Sequence, residues 1–210
     1  MDRTTVTRLL RRDFWPVLRA EGFSRRGEVA RRADGPVVHV VEVVHRPRAG
    51  VFRVDLGVHV TLLGDVSGAP VDPATLREPG CAWRAGIVPG LLDGTSTDLI
   101  YGSSEEDAAG TVAFLVAEWP RQSAAFFGPL TTWPGQFHDA ARAATARGLH
   151  PAHLRTHARV AALVGDLRLA REIAQEALPH VPERARALRA DLEAVARDPE
   201  SVAPTAAVGG

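Results

Sequence analysis

The sequence predicts an α+β fold: an N-terminal helix, an antiparallel β-sheet meander with a packed helix, and then a C-terminal α-helical module. Apolar residues recur first at helical spacing, next in alternation with polar residues, and again at helical spacing over the last third of the chain. These changes place an α+β domain with an antiparallel sheet at residues 1–130, a helical module of about four short helices at 136–197 and a disordered tail at 198–210.

The first element is an amphipathic helix over residues 4–20, and Thr4 or Thr5 is its expected N-cap. Pro16 lies inside the helical pattern and predicts a kink or a division into two short helices, because proline removes a backbone donor. The apolar positions of the pattern are Val6, Leu9, Leu10, Phe14, Val17 and Leu18.

The next segment, residues 28–63, predicts a three-stranded antiparallel meander with turns at 34–36 and 47–50. In its last strand, apolar residues occupy every second position from Phe52 onwards, which is typical of a strand with a buried face. The middle strand is apolar on both faces apart from Glu42 and its histidines, as expected of a central strand. Arg53 is expected to pair either with Glu42 across the hairpin or with Asp55 on its own strand, as part of a polar sheet face.

Residues 64–103 are rich in Gly, Pro, Asp and Ser, and they hold two short strand candidates, CAWRAGIV and TDLIY. Ser103 and Glu106 have the spacing of a capping box, which predicts the start of a helix packed on the sheet. Pro120 is expected to end or kink this helix. Further on, the segment GDLRLAREIAQEAL is similar to one half of a tetratricopeptide-type helical hairpin, although the characteristic Trp, Tyr and Pro positions are absent.

Missing residue types exclude several classes of enzyme. All 25 basic residues are arginine, so pyridoxal enzymes, Walker-type NTPases and standard kinases, which need a lysine, are excluded. Cys81 is the only cysteine, which excludes an intrachain disulfide and four-cysteine or Cys2His2 zinc sites. Cys81 itself is a weak candidate nucleophile, because Arg77 and Arg84 are near in sequence and would lower the pKa of its thiol.

The N-terminus carries no apolar stretch typical of a signal peptide, and no apolar run approaches the length of a membrane span. We therefore expect a soluble, cytoplasmic protein with no membrane partner. The exclusive use of arginine, together with abundant alanine and glycine, is typical of a GC-rich bacterial genome.

Two segments of the N-terminal half form a distinctive pattern: a helix that ends in LRAEGFSRRG, and a strand that reads FRVDLGVHV. They resemble the bacterial family catalogued as domain of unknown function 4304, clearly over residues 1–65 and more weakly towards residue 130. The resemblance implies an initial helix, an antiparallel sheet and a bacterial origin, and it brings no established activity and no agreed catalytic residues. The matching positions are Gly22, Phe23, Arg25, Arg26, Phe52, Val54, Leu56, Gly57 and Val58.

Three histidines, His150, His153 and His157, lie close together in the segment GLHPAHLRTHAR. His153 and His157 are one helical turn apart and could share a metal ion, so a metal-dependent hydrolase is one alternative. The glutamate of an H-E-x-x-H motif is missing, and a helical wheel places both histidines among apolar residues. We favour a packed, hydrogen-bonded helix face without a metal, and a pH-sensitive contact is the third alternative.

The sheet offers one further candidate for chemistry. His59 and Asp55 would act as a general base and its orienting carboxylate if His39 fell on the same sheet face as His59. The strand register decides this, and the sequence does not fix it. Neither a nucleophile elbow nor a dinucleotide-binding glycine motif is present, so the sequence favours a protein that is not an enzyme and predicts no cofactor.

Charge is unevenly distributed along the chain. Residues 1–53 carry 12 Arg against 6 acidic residues (+6), whereas residues 64–120 carry 2 Arg against 9 acidic residues (−7). We interpret the chain as a non-enzymatic binding or interaction protein, for example of the immunity type, whose partner is another bacterial protein. An arginine-mediated nucleic-acid-binding protein is the alternative, although no aromatic residues interleave the arginines. The candidate partner-binding residues are Arg25, Arg26, Arg31, Arg32, Arg46 and Arg48.

Overall fold

The computed structural model describes residues 2–89 and 96–202. These residues have the α+β architecture that the sequence predicts, with an N-terminal helical segment, an antiparallel sheet and C-terminal helices. Of the tail predicted at residues 198–210, Pro199–Val202 form a 3-10 turn, and residues 203–210 lie outside the described residues.

The chain divides into two compact units, which are Met1–His59 with Val71–Gly128, and Val60–Pro70 with Pro129–Gly210. The first unit contains the sheet, and the second is built from helices. The segment of residues 60–70 joins the helical unit, although the sequence places it beside the sheet.

The N-terminal pattern forms two helices, α1 (Arg3–Asp13) and α2 (Trp15–Ala20). Pro16 lies in the first turn of α2, where the missing backbone donor costs nothing, so the division is one of the two outcomes predicted for it. The N-cap of α1 is Asp2 in place of the predicted threonine, because its Oδ1 accepts the backbone N–H of Thr5 at 3.0 Å.

The strands form one antiparallel sheet in the order β1-β2-β3-β4-β5, and β6 pairs with β4 beyond the end of β5. The predicted three-stranded meander is preceded by one further strand, β1. This strand has three residues, all polar and exposed, so no apolar alternation marks it in the sequence. The strands are β1 (Ser24–Arg26), β2 (Val29–Asp34), β3 (Val37–Arg46), β4 (Val51–Val60), β5 (Trp83–Gly86) and β6 (Leu99–Ile100).

Helices cover one face of the sheet. Every second residue of β4, beginning with Phe52, is at most 1% exposed. The helix α3 (Glu105–Phe127) runs through Pro120, so the proline does not end it. Trp119 of α3 is fully buried and packs edge-on against Phe14, with 5.4 Å between the ring centroids. This contact joins the N-terminal helices to α3.

The cap of α3 lies one residue later than the predicted Ser103–Glu106 box. Ser104 is the N-cap: its Oγ accepts the N–H of Asp107 at 3.1 Å, and Asp107 Oδ2 accepts the N–H of Ser104 at 3.0 Å. The Ser103 hydroxyl and then the backbone N–H groups donate to the same carboxylate and lower the pKa of Asp107 to about 2. Three consecutive acidic residues follow Ser104, so spacing alone did not identify the capping one.

An irregular segment between β4 and β5 covers the opposite face of the sheet. Gly57 of β4 faces Cys81 of this segment, and a Cβ at Gly57 would lie 2.5 Å from the Cys81 Sγ. Only glycine allows the segment to approach β4 this closely. The apolar cluster on this face consists of Val29, Val38, Val40, Leu76 and Cys81, with Val71 packed against it.

Two buried carboxylates attach this irregular segment to the sheet and to β5. Glu42, 2% exposed, binds the Arg77 guanidinium and accepts the backbone N–H of Glu78 at 3.1 Å. Glu78, 5% exposed, accepts a hydrogen bond from Arg84 Nε at 2.5 Å. The predicted Glu42–Arg53 pair is therefore wrong, because the segment supplies the cation for Glu42.

The second unit contains four α-helices within its described residues. Arg155 and Arg159 donate hydrogen bonds to the carbonyls of Val66 and Leu63, at 3.0 and 2.6 Å. These bonds explain why residues 60–70 belong to this unit. The helices are α4 (Gly135–Arg142), α5 (Pro151–Leu163), which carries both arginines, α6 (Leu167–Ala177) and α7 (Arg186–Arg197).

We expect Gly57→Ala to lower the free energy of unfolding by about 1–3 kcal/mol, because the new methyl group overlaps Cys81 in a packed core. Urea denaturation of the full chain, followed by tryptophan fluorescence, measures the change. Gly110→Ala is the matched control: nothing lies within 4 Å of its added Cβ, so we expect no loss there. In a Cys81→Gly background, Gly57→Ala should cost much less, and an unchanged cost would contradict the contact.

Candidate functional site

The catalytic group considered from the sequence does not form. His59 and Asp55 are four residues apart on one strand, so their backbones are about 13 Å apart at a rise of about 3.3 Å per residue. Asp55 pairs with Arg53 at 3.1 Å, which is the second of the two pairings predicted for Arg53, although burial still raises the pKa of Asp55. His39 lies on the opposite, helix-covered face, where its ring is 4.7 Å from that of Phe127.

Cys81 is not activated in its environment. Burial, followed by the charge of Glu78, raises the pKa of the Cys81 thiol to about 12. Activation by Arg77 and Arg84 is therefore a wrong expectation, because these guanidiniums bind the carboxylates of Glu42 and Glu78. The thiol stays protonated at neutral pH and acts as a packing group.

The three clustered histidines have three different environments. His150 is the N-cap of α5, and its Nδ1 accepts the N–H of Ala152 at 3.2 Å. His153 is exposed, contrary to the helical wheel, whereas His157 is 5% exposed. Within residues 2–89 and 96–202, no group of three or more His, Cys, Asp or Glu side chains is placed to hold a metal ion.

The six candidate arginines do not form one group. Arg31 donates to the backbone carbonyl of Leu76 at 2.5 Å, and Arg32 donates to that of Glu21 at 2.9 Å. These two side chains hold parts of the first unit together and are not directed to a partner. The other four are Arg46 and Arg48, at the connection between β3 and β4, and Arg25 and Arg26 on β1.

β1 is an edge of the sheet that no other described strand covers, since it pairs only with β2. The N–H of Val43 donates to the carbonyl of Glu28 at 2.9 Å. Because hydrogen-bonded pairs occur at every second residue of an antiparallel ladder, the even-numbered residues of β2 bond to β3 and the odd-numbered residues bond to β1. Arg25 lies opposite Ala30, an even-numbered residue whose backbone bonds to β3 and not to β1. Its own N–H and C=O therefore point away from the sheet.

A cavity of about 390 Å³ lies beside this edge, between α2 and β1. Its rim carries the polar residues Arg19, Ser24 and Arg25. Its floor is apolar and buried, and it consists of Trp15, Leu18, Phe23 and Ala30.

Two arginines, Arg19 and Arg25, lie on the rim of the cavity. The Arg25 guanidinium lies over the indole of Trp15, with its Cζ 4.3 Å from the ring centroid. Burial lowers the pKa of Arg25; Glu28 opposes this shift, and the positive charges of Arg11 and Arg19 add to it. An anion placed at the rim would reduce this repulsion between arginines.

The sequence indicated Arg25 and Arg26 but missed Trp15 and Arg19. Neither is among the apolar positions that the sequence analysis assigned to the N-terminal helix. Arg19 follows Trp15 by four residues, which places them on one side of a helix. This spacing could have grouped Trp15 with Arg19 from the sequence. That β1 lies beside this side of the helix follows only from the fold.

The fold and this edge define an α+β protein whose antiparallel sheet has a short, basic, accessible edge strand. Comparisons with protein-family models, curated proteins and solved structures find no match for the chain. No helix in the described part of the chain is long and apolar enough to cross a membrane. The family resemblance of the N-terminal half therefore stays a prediction.

We expect His157→Gln to reduce the acid sensitivity of the chain. Burial, and then the charges of His153 and Arg147, lower the pKa of His157 to about 4 from an ordinary value of 6.5. The unfolded chain therefore binds more protons between these pH values, and stability falls as the pH drops through this window. The shift corresponds to about 3 kcal/mol of unfolding free energy. The wild-type chain loses this stability as the pH falls through the window, and the variant does not.

Urea denaturation at several pH values between 7 and 4, followed by circular dichroism, measures this effect. His180→Gln is the control, because the same substitution then removes an exposed imidazole of the same unit that does not affect the pKa of His157. Identical pH dependence of the two variants would show that burial of His157 does not matter.

Proposed function

We propose that the chain is a non-enzymatic, cytoplasmic bacterial binding protein, of the immunity type, that holds an acidic segment of another protein along β1. One observation carries the proposal: Arg25 combines backbone groups directed away from the sheet with a positively charged side chain. A segment that adds to a sheet edge gains main-chain hydrogen bonds, and side-chain contacts then determine which segment binds.

The charge of this edge favours an acidic partner. Arg25 lies on the helix-covered side of the sheet with Arg19, and Arg26 alternates to the other side of the same strand. An added strand would therefore meet an arginine on each of its faces. Complementary charge speeds association and excludes basic partners, whereas each exposed pair adds little affinity.

Nucleic acid is less well supported as the partner. Arg31 and Arg32 bind backbone carbonyls, so two of the six arginines are occupied within the fold. The Arg25 guanidinium covers a face of the Trp15 indole, so that face is not open for a base to stack on. Membership of the family of domain of unknown function 4304 is part of the proposal and adds no activity to it.

Replacing Arg25 and Arg26 together by Gln is expected to weaken partner binding about tenfold. Arg46→Gln with Arg48→Gln is the matched control, because it removes the same charge from the connection between β3 and β4. Each full-length chain would carry the photo-crosslinker p-benzoylphenylalanine at position 24 and be irradiated in a lysate of the native host. Mass spectrometry then identifies the crosslinked segment.

We expect crosslinks to an acidic segment of one protein, which weaken as salt is added and persist in the control variant. Crosslinks of equal yield in the Arg25→Gln, Arg26→Gln chain would contradict the proposal. Retention of nuclease-sensitive nucleic acid in place of a protein would favour the alternative partner.

A further inference from the structure

We infer that the cavity beside β1 anchors one large apolar side chain of the bound segment, and that a neighbouring carboxylate accepts hydrogen bonds from Trp15 and Arg25. This inference rests on the proposed function and specifies its partner. The partner would be an extended segment with one residue of the Phe or Leu kind between acidic residues.

The size and lining of the cavity suit an apolar side chain. Its volume of about 390 Å³ is near the lower end of the range of roughly 300–1,000 Å³ for ligand pockets. The four floor residues are each at most 4% exposed, so they are packed into the core and present only apolar groups to the cavity. Buried aromatic anchors flanked by arginine are typical of the residues that dominate protein interfaces.

The indole of Trp15 supplies a hydrogen-bond donor that the described residues do not use. Its Nε1 is buried and has no acceptor among them. The other tryptophan in this part of the unit, Trp119, donates from Nε1 to Glu21 Oε1 at 2.8 Å. Because buried indole N–H groups normally have a partner, an acceptor that enters the cavity would satisfy Trp15.

The guanidinium of Arg25 has donors to spare. Its Nε donates to the carbonyl of Gly27 at 2.6 Å, which fixes the plane of the group over Trp15. Its Nη2 lies 3.9 Å from Glu28 Oε2, beyond hydrogen-bond length. The terminal nitrogens therefore remain able to donate to a carboxylate at the rim, which makes this the acid-binding part of the site.

Strand geometry determines where the acidic residues of the partner should lie. A strand added at Arg25 directs alternate side chains to the cavity side and to the Arg26 side. If an apolar residue enters the cavity, the residues two positions away meet Arg25 and Trp15, and its immediate neighbours meet Arg26. Carboxylates are thus expected at both spacings.

Two nine-residue peptides of alternating Glu and Asp test the inference, one with Phe and the other with Ala at its centre. Each is titrated into the nitrogen-15-labelled full chain, and the indole N–H signals are followed by NMR. Trp15→Phe identifies the Trp15 signal, and the other tryptophans serve as internal references. We expect the Phe peptide to bind about tenfold more tightly and to shift the Trp15 signal.

Ala30→Leu fills the cavity floor and should remove the preference for Phe while the weak, salt-sensitive binding of the Ala peptide remains. If Ala30→Leu does not fold, Trp15→Phe replaces it, and we expect both peptides to bind several-fold more weakly to that chain. Equal affinities of the two peptides for the wild-type chain would overturn the cavity as an anchor and leave the proposed function intact. If neither peptide shows salt-sensitive binding, the result would count against the proposed function itself.

Discussion

The rest of the sheet depends on the bonds that the buried carboxylate of Glu42 makes to Arg77 and to the backbone N–H of Glu78. β3 and β4 are buried on both faces, but helices cover only one face of the sheet. The second cover is irregular backbone, whose polar groups need partners. Glu42 accepts the N–H of Glu78 and binds Arg77, so it satisfies the segment and attaches it to β3. Because Arg77 itself is largely exposed, its removal costs the hydrogen bond to the buried carboxylate, about 1.5–3 kcal/mol.

Part of the uneven charge of the sequence is compensated by ion pairs within the first unit. Arg8 pairs with Glu105 at 2.8 Å, and Arg46 approaches Asp98 at 3.8 Å. In both pairs a basic residue of the N-terminal quarter meets an acidic residue of the later segment within the first unit. The split between +6 and −7 therefore does not by itself identify a partner surface. The argument for β1 depends on its accessible backbone and its cavity.

The sequence predicted those parts of the fold that repeat a local pattern. Alternation identified β4, an apolar run identified β3, helical spacing identified α1 and α2, and the spacing of a capping box indicated α3. It did not identify β1, because three polar residues carry no periodicity, nor the cover of residues 71–82, because irregular segments have none. The candidate site depends on a pairing of Arg25 with Ala30 beside Trp15, and such contacts between distant residues follow from tertiary packing.

The arginines of β1 also explain how the protein can carry an exposed strand edge without self-association. An uncovered edge is a template for pairing with another copy of the same chain. Two β1 edges in antiparallel contact would bring Arg25 and Arg26 of both copies together, and like charges facing each other across a strand pair are unfavourable. An acidic segment meets no such repulsion. The same two side chains that disfavour self-association therefore favour the partner proposed for this edge, so recognition and protection of the edge follow from one feature of the sequence.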